Sequence, residues 1–255
     1  MIRERTDNEK IHYSDMIVGR NPVFEALKAK RTINKIFIQR GEREGSIKAI
    51  EAAAREMGIV IQPVDKAKLD GMTGGGTHQG IIAMAAVKEY VEVDDILAYA
   101  ESRNEDPFII ILDEIEDPHN LGSMIRTAEA VGAHGVIIPK RRAVGLTPIV
   151  AKSSSGAIEY VRVARVSNIV ETIRILKKNN IWTVGTDANC ETIYSDADLK
   201  GRIALVIGGE GSGLGRLTRE TCDFIVKLPM KGRISSLNAS AAAAVLMYEI
   251  LKQRS

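Results

Sequence analysis

The chain has 255 residues, 45% of them hydrophobic, enough for one large domain or two small ones. Its 35 Lys and Arg against 33 Asp and Glu leave a net charge of +2, which excludes an obligate polycationic nucleic-acid coat and restricts any RNA contact to local patches. Cys190 and Cys222 lack metal-ligand spacing, and no apolar run approaches a membrane span, so the expectation is a cytoplasmic protein with no metal, disulfide or membrane partner.

Residues 1–14 (MIRERTDNEKIHYS) carry charge and no apolar period, unlike a signal peptide, and read as a flexible tail. Order is expected from Met16. IVGRNPVFEAL suggests a strand end, a turn at Gly19 to Pro22, and a helix with Pro22 at its first position. INKIFIQR reads as an apolar strand, SIKAIEAAAREMG as a helix stopped by Gly58, and IVIQPV as another strand. KAKLDGMTGGGTHQG then gives a short helix and a glycine-rich loop before the strand IIAMAAV. This alternation makes residues 15–90 a small α/β domain of about the minimum size that folds alone. Residues 91–106 turn acidic around one short helical piece, DDILAYAES, and read as a linker with its boundary near Pro107.

The second domain, 107–255, opens with the buried strand FIIIL. In DEIEDPHNLGSMIRTAEAVGAHG, Asp117 and Pro118 turn the chain, a helix starts near Asn120 and runs to about Val131, and Gly132 ends it. The strand VIIP follows, and Lys140, Arg141 and Arg142 cluster at its carboxyl end, placed to hold RNA phosphates or simply solvated. Next come the helix PIVAKSSSGA, the strand YVRVARV, a helix from Ser167 to Asn179, and the strand IWTVGTDA, whose Thr186 and Asp187 are candidates for cofactor contacts.

The runs Ala204 to Ile207 and Phe224 to Leu228 lack alternation, as strands covered on both faces do, and parallel sheets place ligands beyond the carboxyl ends of such strands. Strand and helix alternate throughout, which argues for a parallel sheet wrapped by helices. Between the two runs, Gly208, Gly209, Gly211, Gly213 and Gly215 spell neither G-x-G-x-x-G nor a P-loop, which excludes a nucleotide-dependent dehydrogenase or kinase. What remains is a loop of little bulk that lets a flat or extended ligand approach the backbone, with Glu210 as its one acidic group. Farther on, Ser235, Ser236 and Asn238 stand just before a helix spanning Ala239 to Leu251, with Asn238 or Ser240 as its cap. They suit either a polar ligand or capping alone.

DPHNLGSMIRTAEAVGAHG, GGEGSGL and KLPMKGRISSLNAS, in this order and with fitting spacing, resemble the three motifs of the SpoU, or TrmH-like, RNA ribose methyltransferases of the SPOUT superfamily. The amino-terminal part also fits, and the nearest resemblance is to the RlmB-type guanosine-2'-O-methyltransferases of large-subunit (23S) ribosomal RNA. The resemblance covers nearly the whole chain. It implies an α/β SPOUT domain with a parallel sheet and a deep trefoil knot at its carboxyl end, against the general avoidance of knots. It also implies a homodimer packed through knot-region helices, S-adenosyl-L-methionine as methyl donor, and ribosomal RNA as partner. Residues 15–90 become a ribosomal-protein-like RNA-binding domain, with Arg20 of GRNPVFEAL and His78 and Gln79 of THQG as RNA-binding candidates. His78 could stack on a base or, as a turn histidine, bond its own loop.

For the site, the resemblance implies Thr186, Gly208, Gly209, Leu228, Met230, Ser235 and Leu237 around the cofactor, and Asn120, Arg126, Glu210, Ser236 and Asn238 as the catalytic set. Family proposals make Arg126 the base. An arginine is almost never neutral, so its chemistry suits binding the phosphate beside the target, leaving the proton to that phosphate, Glu210 or water. Asn120, Ser236 and Asn238 would then orient Arg126, the ribose and the cofactor carboxylate. Ala239 stands where a valine is frequent in the family, a change expected to leave the chemistry alone. A transfer RNA methyltransferase or one acting at an antibiotic-resistance site would carry the same motifs, and an RNA-binding or ribosome-assembly factor could keep the fold without catalysis. The intact catalytic set argues against the last.

Overall fold

The computed structural model describes residues 16–41, 45–85, 88–211, 213–233 and 236–255. The chain divides into two compact units, one through residue 87 and one from residue 88. The tail expected at 1–14 lies outside the described residues.

In the first unit the elements run β1 (Met16–Val18), α1 (Arg20–Lys28), β2 (Ile33–Gln39), α2 (Ser46–Glu56), β3 (Val60–Val64), α3 (Lys66–Thr73) and β4 (Ile81–Ala85). The sheet order is β1-β4-β2-β3, with β2 parallel to β3 and antiparallel to β4. Helices α1 and α2 bury Val23, Leu27, Ile47 and Ile50 with Ile36 and Ile81, while Leu69 of α3 joins a second cluster with Phe37, Val64 and Ile82. Helix α1 begins two residues before Pro22, which was expected at its first position. At the third position Pro22 still costs no hydrogen bond, because the first four N–H groups of a helix have no partner within it.

The second unit contains α4 (Val93–Ser102), β5 (Phe108–Leu112), α5 (Pro118–Ala130), β6 (Gly135–Pro139), α6 (Pro148–Ser153), β7 (Val163–Val166) and α7 (Ile169–Lys178), then β8 (Trp182–Thr186), β9 (Ile203–Ile207), α8 (Arg216–Thr221), β10 (Phe224–Val226) and α9 (Ala239–Arg254). The six strands form one parallel sheet in the order β10-β8-β9-β5-β6-β7. Strands β5, β6 and β9 are buried at every residue. The reason is cover on both faces: α5, α6 and α9 supply Leu121, Val150 and Met247 to one core, and α4 and α7 supply Ile96, Ile173 and Leu176 to the other. Each fully buried Ile or Leu contributes about 1.5–3 kcal/mol relative to an exposed one.

Three sequence readings are revised here. The stretch 91–106, read as a linker, contains α4, whose Ile96 and Ala100 are fully buried. Ile96 fills the space over Gly135, where an added Cβ would come within 2.5 Å of its Cδ1, so this helix packs as part of the second unit. Helix α5 begins at Pro118, ahead of the expected Asn120, because Asp117 caps it by accepting the His119 N–H at 3.0 Å. Strand β10 stops at Val226 and leaves Leu228 in the loop beyond. Among the described residues no helix is long and apolar enough to cross a membrane.

Candidate active site

Parallel pairing sends the carboxyl ends of all six strands to one edge of the sheet, so the segments after β5, β8, β9 and β10 meet there. Those after β8, β9 and β10, with the start of α9, enclose a cleft of about 580 Å³. Gly208 and Gly209 line it with backbone, Leu228, Met230 and Leu237 with apolar surface, and Thr186, Glu210, Ser236 and Asn238 with polar groups. Ser235, expected beside them, lies outside the described residues.

At the mouth, three segments far apart in sequence are tied by one carboxylate. Glu210 Oε1 accepts from Nδ2 of Asn238 at 3.0 Å and from Nδ2 of Asn120 in a short contact. Asn238 Nδ2 also donates to Asn120 Oδ1 at 3.1 Å. The carbonyl of Asn238 caps α9, accepting the N–H groups of Ser240 at 3.0 Å and Ala241 at 3.3 Å and the Ser240 hydroxyl at 2.7 Å. Asn238 is the cap, of the two residues considered, and both donors of its amide are spent. It can hold the site together but has no donor left for a ligand. Among the described residues, the free capacity of the cluster is Glu210 Oε2 and one amide hydrogen of Asn120, which is only 5% exposed.

The glycine loop is compact for steric reasons. A Cβ on Gly208 would collide with the backbone of Gly213 and Leu214, and one on Gly209 would come within 2.6 Å of the Glu114 carbonyl oxygen. The Gly213 N–H returns to the Gly209 carbonyl at 3.1 Å, closing the loop on itself. Glu114 adopts φ 58° and pairs at 2.9 Å with Arg142, itself at φ 53°. Two non-glycine residues in left-handed conformations beside a cleft mark stored strain of the kind found at functional sites.

Arg126 does not join the cluster. It lies six residues beyond Asn120 on α5, about 240° around and about 9 Å along the helix axis, exposed and donating to Ser155 Oγ at 3.2 Å. Lys140 and Arg141 are exposed, while Arg142 is committed to Glu114. In the first unit, Gln79 accepts the Arg20 N–H through Oε1 and the Arg20 Nε–H through its carbonyl, both at 2.9 Å. His78 is corrected: its ring is 5% exposed, Nδ1 accepts the Gly80 N–H at 3.0 Å, and Nε2 therefore carries the proton toward Asp70 Oδ1 at 3.0 Å. It bonds its own loop and offers no face on which a base could stack.

Sequence reasoning passed over Asp113 and Thr218. Asp113 follows β5 and is 9% exposed, and its Oδ2 accepts from the Thr218 hydroxyl at 2.8 Å. Burial pushes its carboxyl above the usual carboxylate range, and the bonds from Thr218 and the Gly215 N–H pull it back only in part. Asp187, by contrast, is ion-paired with Arg219 at 2.7 Å on the wall of the cleft. Among the described residues no group of three or more His, Cys, Asp or Glu is placed to hold a metal.

Residues 107–248 match the SpoU rRNA Methylase family, and residues 16–91 match the RNA 2'-O ribose methyltransferase substrate binding family. A relative from Bacillus subtilis (strain 168), which carries the provisional name TrmH family tRNA/rRNA methyltransferase YacO, is 51% identical over 240 residues, covering 94% of this chain and 96% of its own. Among solved structures, an RNA 2'-O ribose methyltransferase superposes with a TM-score of 0.77 at 28% identity, covering 93% of this chain and 88% of its own. The SpoU methyltransferase AviRb from Streptomyces viridochromogenes, solved with AdoMet, gives a TM-score of 0.77 at 25% identity over 93% of this chain and 89% of its own.

Proposed function

The chain belongs to the SpoU rRNA methylase family of RNA methyltransferases, and from that premise we propose that it transfers a methyl group from S-adenosylmethionine to the ribose 2'-hydroxyl of a guanosine in large-subunit ribosomal RNA. The observation that carries this reading is the joining of Asn120, Glu210 and Asn238, from three separate segments, at the mouth of a glycine-lined cleft. The cleft suits the donor. Its volume of about 580 Å³ falls in the range of small-molecule sites, Gly208 and Gly209 let a ligand lie against backbone, and Leu228, Met230 and Leu237 give an adenine ring apolar cover. When bound, S-adenosylmethionine supplies an electrophilic methyl group on a sulfonium.

The residues of this chain then align and deprotonate. Much of the rate comes from holding the hydroxyl in line, and the proton goes to Glu210 Oε2, which accepts from none of the described residues. Arg126 binds the phosphate beside the target, while Arg20, Gln79, Lys140 and Arg141 contribute to holding the RNA backbone.

The same reading includes a knot and a homodimer. The strand order, with β9 between β5 and β8, and the packing of α9 on α5 are consistent with the knot. Val245 and Tyr248, 40% and 52% exposed on α9, support pairing through that helix. Light scattering of the purified protein is expected to give twice the 27.8 kDa chain mass; a monomer at working concentration contradicts the dimer.

The test of function uses radiolabelled S-adenosylmethionine with unmodified ribosomal and transfer RNA, followed by digestion to nucleosides. Label in 2'-O-methylguanosine of large-subunit RNA is expected, falling at least about a hundredfold with Arg126→Ala. Label in transfer RNA alone would move the substrate. No transfer to either RNA, with the donor bound, would overturn the reading in favour of a binding factor.

A further inference from the structure

We propose that Asp113 is a positioning residue for the transfer reaction, fastening the far end of the glycine loop to the carboxyl end of β5 through Thr218. The proposal rests on the reading of the cleft as the S-adenosylmethionine site. Asp113 is the one carboxylate among the buried residues described, and Thr218, its partner, is 5% exposed. The Asp113 N–H donates to the Ile207 carbonyl at 2.8 Å, which sets it beside the point where the glycine loop leaves β9. Its carboxylate then reaches across the loop's span, accepting from Thr218 Oγ1 at 2.8 Å and lying against Gly215, where an added Cβ would come within 3.8 Å of Oδ2. Both ends of the loop are thereby tied to one strand terminus, the entry by pairing of Leu112 with Ile207 and the exit by Asp113.

Among the described residues no cation pairs with this carboxylate: the charges that face it are Glu114 and Arg142, which oppose each other and pair together. An apolar pair of similar size would fill the same space without desolvating a charge. What the carboxylate adds is direction. The hydrogen bond fixes Thr218 at a set distance and angle from β5, and with it the exit of the glycine loop whose residues Gly208 to Gly211 wall the cleft.

Calorimetric titration with S-adenosylmethionine and steady-state kinetics on Thr218→Val and Thr218→Ser test this. Thr218→Val is expected to weaken binding and raise KM for the donor about tenfold with kcat little changed, and Thr218→Ser to restore both. Wild-type affinity in Thr218→Val, whatever its melting temperature, would overturn the proposal. Should that variant fail to fold, Asp113→Ala, which removes the acceptor for Thr218, is expected to raise KM about tenfold, and an unchanged KM there is equally fatal. A wild type that binds no S-adenosylmethionine would remove the reading of the cleft and this proposal with it, whereas binding that Thr218→Val leaves intact removes the proposal alone.

Discussion

Replacing Glu210 with Gln is expected to slow methyl transfer by about 10²–10⁴-fold while the fold and the affinity for S-adenosylmethionine persist. The amide of Gln keeps one carbonyl oxygen, so it can still accept from Asn120 and Asn238 as Oε1 does now. Its other terminus becomes an N–H₂, which cannot take a proton from a ribose hydroxyl. Glu210→Ala removes both functions, and the two Asn side chains lose the acceptor that joins them. Comparing the two variants in single-turnover assays separates proton acceptance from assembly of the site. A Gln variant as fast as wild type, with only the Ala variant impaired, would leave Glu210 a purely structural role and pass the proton to phosphate or water.

Gly208→Ala should abolish measurable binding of S-adenosylmethionine. The added methyl group would meet main-chain atoms of Gly213 and Leu214, which cannot swing aside as the end of a flexible side chain can. The loop must open, losing the return bond from Gly213 to Gly209, at a stability cost of about 1–3 kcal/mol typical of forced overpacking. Gly232→Ala is the matched control, since a Cβ there meets nothing within 4 Å and its φ is not positive. Equal affinity in the two variants, measured by calorimetry, would show that the cleft does not depend on the tight turn.

The sheet was legible because burial on both faces leaves its mark in composition: FIIIL and IALVI allow no polar residue, and both are central strands. The cleft was legible for a related reason, since its glycines and cap residues are local necessities of the turns they make. The linker reading failed at Ile96 and Ala100, a single buried stripe on a helix otherwise covered in acid, where local composition outweighed a weak period. Asp113 stands in an acidic run, DEIED, and nothing local separates the buried carboxylate from its exposed neighbours. The partners that make the difference, Thr218 for Asp113 and Gly80 and Asp70 for His78, are set by how distant segments are laid together or how a loop closes. Glu114 and Arg142 are still harder to see, because neither is a residue type that announces a left-handed backbone.

Strand β9 lies between β5 and β8, pairing Phe108 with Ile203 on one side and Trp182 with the same residue on the other. During synthesis, β5 therefore emerges well before the strand that separates it from β8, and β8 itself shortly before that strand. A nascent chain that has reached only Leu199 holds the apolar strand β5 and the largely buried strand β8, each with an open edge facing the gap. Such edges invite pairing with each other or with another chain, and their proper partner arrives late, across long stretches of sequence. The second unit is thus built to stay incomplete until nearly all of it has left the ribosome, and its last steps, insertion of β9 and docking of α9, are the same steps that assemble the cleft.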